Sequence, residues 1–65
     1  SWTPLQLAVN DNRLEVVRYL ITQHADIHYV DPQGVNAVIL AANKGHLDVL
    51  KELLKAGGRA LRTGL

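Results

Sequence analysis

Residues 3–26 read TPLQLAVNDNRLEVVRYLITQHAD, and thirty-three positions later residues 36–59 repeat them in weaker form as NAVILAANKGHLDVLKELLKAGGR. In this register Leu7 falls on Leu40, Ala8 on Ala41, Asn10 on Asn43, Leu14 on Leu47, Val16 on Val49 and Leu20 on Leu53. Leu/Val/Ala-rich sequences give roughly two or three such identities by chance over a window of this length, so the six seen here mark a repeat. The near matches extend it: Leu5 meets Val38, Val17 meets Leu50, Ile21 meets Leu54, Glu15 meets Asp48 and Arg18 meets Lys51. Apolar meets apolar and charge meets like charge, as two copies of one fold require.

Each copy reads as two short helices. Thr3-Pro4-Leu5-Gln6 is a helix start. The Thr3 hydroxyl suits the N-cap, Pro4 the first helical position where no N–H is needed, and Gln6 the third position, from which it reaches back to complete a capping box. Asn10–Asn12 favour a turn over a helix interior. Val16, Val17, Leu20 and Ile21 then repeat at helical spacing, with Leu14 extending the face. The expected helices cover about residues 4–11 and 14–23, followed by a loop over 24–34. The second copy starts at Asn36, another good N-cap, and its helices are expected over about 37–44 and 47–56. Gly57 and Gly58 supply its stop, and residues 59–65 form a tail without core periodicity. Helices this short are unstable alone in water, so each pair must fold back as an antiparallel hairpin and bury its apolar side against its neighbours. Between the copies, Asp26–Val30 has strand-like composition and Asp31-Pro32-Gln33-Gly34 is a turn, which predicts a projecting hairpin-like loop and no true sheet. The fold class is therefore all-α, with stacked helix-turn-helix units divided as 1–34 and 35–65.

Sixty-five residues make one small domain, for which a stability of roughly 3–10 kcal/mol is expected. In so small a fold Leu20→Ala or Leu53→Ala is expected to cost about 2–5 kcal/mol. There is no cysteine, which removes disulfides and thiolate metal sites and suits a reducing compartment such as cytoplasm or nucleus. No apolar run approaches the roughly 20 residues that span a bilayer, and no basic-then-apolar leader opens the chain. The net charge of +1 selects no polyanion. Its distribution is uneven: residues 1–43 carry two basic and four acidic side chains, residues 44–65 five basic and two acidic. The plainest account of that basic end is a solvated helix face.

The motifs together resemble an ankyrin repeat. They are Thr3-Pro4-Leu5, Leu7-Ala8, Leu14-Glu15-Val16-Val17, Leu20-Ile21, Ala25-Asp26-Ile27 and Asp31-Pro32-Gln33-Gly34. In the second copy they continue as Leu40-Ala41-Ala42, Gly45-His46-Leu47-Asp48-Val49, Leu53-Leu54 and Ala56-Gly57. The resemblance covers nearly all of residues 2–60 and departs at named places. Gln6 and Ile39 stand where the family has histidine, the second copy lacks Thr-Pro, Asn12 replaces a turn glycine, and His28 replaces the usual asparagine. Helix-start hydrogen bonding is accordingly expected to be weaker in the second copy, with packing around Ile39 compensating. An ankyrin-type solenoid normally needs about three or more units with polar caps. Trp2 at one end and Leu61 and Leu65 at the other do not look like caps, which predicts a piece of a longer array, or a chain held by a partner or by self-association.

The resemblance implies a protein-binding module with a concave surface of loop tips and first-helix residues. Carried over singly, the partner-binding candidates are Trp2, Asn10, Asp11, Val30, Gln33, Val35, Asn43 and Lys44, with Trp2 the strongest because large aromatics carry much interface energy. The alternative is a structural subunit or fragment within a larger assembly. A third reading, a basic hairpin that binds nucleic acid through Lys44, Lys51, Lys55, Arg59 and Arg62, ranks below both. Neither an enzyme nor a cofactor is expected. Ser1 is the only serine, no catalytic triad or glycine-rich phosphate loop is visible, and Asp26 and Asp31 sit in turn-forming contexts. His24 and His28 are four apart but lack a third ligand at a telling spacing, and His46 in Gly-His-Leu suits a structural turn. The resemblance adds one modification site. Ankyrin loops are substrates of an oxygen-sensing asparaginyl hydroxylase that acts eight residues after a helix leucine, and His28 lies eight after Leu20.

Overall fold

The computed structural model describes residues 2–57. It contains α1 (Pro4–Asn10), α2 (Leu14–Thr22), α3 (Ala37–Lys44) and α4 (Leu47–Lys55), and no strand among the described residues. The expectations attached to Ser1, Gly58, Arg59, Leu61, Arg62, Leu65 and the tail 59–65 lie outside the described residues.

α1 begins as its sequence requires. Gln6 N–H donates to Thr3 Oγ1 at 3.2 Å and Thr3 N–H donates to Gln6 Oε1 at 3.1 Å, with Pro4 in the first turn. α3 keeps half of that device: Asn36 Oδ1 accepts from Ile39 N–H at 2.8 Å. α2 and α4 begin without any side-chain cap, at Arg13 and His46. The backbone holds both starts instead, through Arg13 N–H to the Ala8 carbonyl at 2.9 Å and His46 N–H to the Ala41 carbonyl at 3.0 Å. These bonds are thirty-three residues apart at each end and close the same turn twice.

The turns also share a left-handed residue. Asn12 has φ 57° and Gly45 φ 73°, one at the end of each first helix. After the second helices His24 has φ 65° and Gly57 φ 97°. Asparagine and histidine enter this region more readily than most side chains, and glycine enters it with no Cβ penalty at all.

α1 packs on α3, α2 on α4, and each hairpin closes on itself. The first helices form one layer and the second helices another. Between them lies a single core of Leu5, Ala8, Val9, Val17, Ile27, Ala37, Val38, Leu40, Ala41, Val49 and Leu53. The amphipathic reading of the second helices is corrected in detail. Of the face Val16, Val17, Leu20 and Ile21, only Val17 is fully buried, Leu20 and Ile21 are half-buried and Val16 is exposed. In α4, Val49 and Leu53 are sealed while Leu47 and Leu54 stand largely in solvent. Leu53 is sealed and Leu20 is half-buried against the core, so the larger of the two truncation costs is expected at Leu53.

Gln6, His46 and Arg18 each tie one hairpin to the next. Gln6 Nε2 donates to the Val35 carbonyl at 3.2 Å. His46 Nε2 lies 3.1 Å from the Asn10 carbonyl. Arg18 Nε meets Glu52 Oε2 at 3.2 Å while its guanidinium also reaches Glu15 at 3.5 Å.

Candidate functional site

The connector between the hairpins is built by one carboxylate. Asp31 is buried, and its Oδ1 accepts from Gln33 N–H at 2.8 Å and from Val35 N–H at 3.0 Å. Its own backbone completes the arrangement: Asp31 N–H donates to the Val35 carbonyl at 3.0 Å, and Gly34 N–H donates to the Asp31 carbonyl at 2.9 Å. Gly34 takes φ 81°, as the fourth residue of this turn. A smaller version precedes it, where Asp26 Oδ1 accepts from His28 N–H at 3.0 Å. Sequence reasoning placed Asp31 in a turn but missed that it is the buried centre of the loop. The signal was present, because an aspartate before Pro-x-Gly is suited to hydrogen-bond the backbone beyond it.

The loop tip meets the N-terminal residues. Trp2, Asp31, Pro32 and Gln33 line a cavity of about 200 Å³. Trp2 is 38% exposed, so an aromatic face is offered beside the exposed Gln33. Val30 is also exposed on the approach to the loop. Val35 is half-buried and its carbonyl is engaged by Gln6 and Asp31, which gives this residue a bracing role within the chain.

The other candidates lie at the ends of the first helices. Asn10 Nδ2 donates to Asp11 Oδ1 at 3.3 Å. Asn10 Oδ1 is inaccessible and has no hydrogen-bond partner among the described residues. Asp11, Asn43 and Lys44 are exposed, Lys44 in the last turn of α3. Trp2 and Gln33 are thus brought together around one cavity, and Asn10 and Asp11 are joined by a hydrogen bond. Asn43 and Lys44 share only their place in the repeat with Asn10 and Asp11.

His28 is exposed, and Leu20, eight residues before it, is half-buried. Among the described residues no three His, Cys, Asp or Glu side chains gather as a metal site. Lys44, Lys51 and Lys55 are exposed, and Lys55 Nζ lies 4.0 Å from Glu52, whose carboxylate also pairs with Arg18. Among the described residues no helix is long and apolar enough to cross a membrane.

No curated protein matches the sequence. A family model for ankyrin repeats (3 copies) matches residues 1–62. With two capped, left-hand-terminated hairpins stacked in register and a family match over nearly its whole length, the chain belongs to the ankyrin repeat family.

Proposed function

We propose that this chain binds another protein through the loop tip and the ends of the first helices, using Trp2, Asn10, Asp11, Val30, Gln33, Asn43 and Lys44, with Val35 as support beneath the loop. Ankyrin repeats are in general protein–protein interaction modules, and the family is typically non-enzymatic. The observation that carries the finer reading is the cavity between Trp2 and Gln33 on a loop already fastened by Asp31. A loop held by its own hydrogen bonds loses little freedom on binding, and an exposed aromatic beside it supplies contact area at low entropic cost. No reaction is assigned to the chain. His28 belongs to the same loop region and is kept as a hydroxylation site. Mass spectrometry after treatment with the asparaginyl hydroxylase and its co-substrates would show one added oxygen, and its absence would remove the site.

The test is affinity capture with the native chain beside Trp2→Ala and Gln33→Ala chains. A partner retained by the native chain and lost from both variants supports the surface. Equal retention by all three rejects it. The alternative reading, a structural subunit within a larger assembly, draws on the exposed apolar side chains of the second helices, Val16, Leu47 and Leu54.

A further inference from the structure

Positive charge avoids one region of the chain. No Lys or Arg lies between Arg18 and Lys44, while Asp26 and Asp31 both fall inside that stretch. Asp31 is only 7% exposed, and it forms no ion pair among the described residues. Its Oδ1 takes the Gln33 and Val35 N–H groups, and its Oδ2 accepts no hydrogen bond among the described residues. Oδ2 is not sealed from solvent, in contrast to Asn10 Oδ1. Buried charges are ordinarily paired, and no positive group of this loop matches the carboxylate.

Asp31 lines the cavity of about 200 Å³ together with Trp2, Pro32 and Gln33. Both sides of that cavity, Trp2 and the loop tip that follows it, belong to the described residues, so the site depends on neither end of the stack. Its lining favours one kind of occupant. An anion would meet an unbalanced carboxylate. An apolar group would strip water from Oδ2 and return nothing. A cation gains both the carboxylate and the face of the indole, the best aromatic partner for positive charge. We propose that the cavity receives an arginine side chain of the partner protein, its guanidinium lying on Trp2 and donating to Asp31 Oδ2 and Gln33 Oε1. This inference rests on the loop-tip reading and supplies the chemistry of its partner.

Arginine suits this lining better than lysine because of how its donors are arranged. A guanidinium is flat, so it stacks on a ring and still donates along its edge. Its five N–H groups can reach two acceptors at once, whereas an ammonium is a compact charge that holds its water more firmly. The carboxylate of Asp31 and the side-chain amide of Gln33 are two such acceptors, carried two residues apart on one turn. That turn is already closed by Asp31 Oδ1 and by the Gly34 N–H, so little ordering remains when the side chain enters.

Trp2 is the only tryptophan of the chain, so its fluorescence reports the cavity directly. The probes are the tripeptide acetyl-Gly-Arg-Gly-amide and its lysine and citrulline counterparts; citrulline keeps the shape of arginine without the charge. Each is titrated into the 65-residue chain at fixed ionic strength. A saturable change is expected with the arginine peptide, a weaker one with lysine and none with citrulline. Asp31→Asn keeps an Oδ1 acceptor for both N–H groups and removes the charge, so the arginine peptide is expected to bind it about tenfold more weakly, or less well still. Far-UV circular dichroism checks that this variant folds, and Gln33→Ala, which alters an exposed side chain, gives a second variant expected to weaken binding. A silent arginine peptide, an equal response to lysine or citrulline, or native binding by both folded variants overturns the proposal. The capture experiment uses none of these peptides. A partner lost from the Trp2→Ala and Gln33→Ala chains, beside a silent arginine peptide, rejects the arginine and keeps the surface.

Discussion

The side-chain amide of Gln6, almost wholly sealed from solvent, donates to the Val35 carbonyl at 3.2 Å and straps the first hairpin to the base of the second. The same amide closes the capping box with Thr3. Gln6→Ala removes both, leaving Thr3 N–H without its side-chain acceptor and the Val35 carbonyl with the Asp31 N–H alone, so a loss of about 1–2 kcal/mol is expected. Thr3→Ala removes only the cap, for about 1 kcal/mol. Urea denaturation of the two variants should rank them in that order.

Left-handed turns supply the second prediction. His24 and Gly57 share one turn geometry, and a Cβ at Gly57 would meet nothing within 4 Å, so only backbone conformation distinguishes the residues there. His24→Gly should stabilise by about 0.5–1 kcal/mol and Gly57→Ala should destabilise by about 1 kcal/mol. Asn12→Gly should gain less, because asparagine already tolerates this region. Thermal melts of the three variants decide it.

Much of this was legible in the sequence because it is local. The caps at Thr3 and Asn36, the turn at Asp31–Gly34 and the left-handed role of Asn12 each depend on residues within a few positions. The burial of individual leucines was not legible. Leu7 and Leu40 are the same residue in the same helical phase, and only a neighbouring hairpin on one side separates them. Nor does sequence place Trp2 beside Gln33, or the Gln6 amide on Val35. Those meetings depend on how the hairpins lean together.

Core truncation should divide along that line. Leu53→Ala removes a sealed side chain and is expected to cost about 2–5 kcal/mol, comparable with the whole stability of a domain this size. Leu47→Ala removes a largely exposed one and should change a dilute sample by no more than about 0.5 kcal/mol. Chemical denaturation at low chain concentration gives both values.

Arg18 and Glu52 join the second helices at 3.2 Å, with 49% and 21% of their side chains exposed. Water reaches this pair, so a double-mutant cycle should give a coupling of about 0.5 kcal/mol, reduced further in high salt. A coupling that resists salt would show the pair to be far better shielded than its exposure indicates.

Asp31 shapes its loop by accepting backbone N–H groups at Gln33 and Val35, so it places no demand on the side chains there. The division of labour has an evolutionary consequence. Positions 32 and 33 are free to drift between hydrophobic, charged and aromatic character while the aspartate and Gly34 keep the outline of the tip. On the proposed loop-tip reading, new binding preferences would arise by single substitutions, without any change in the framework that displays them.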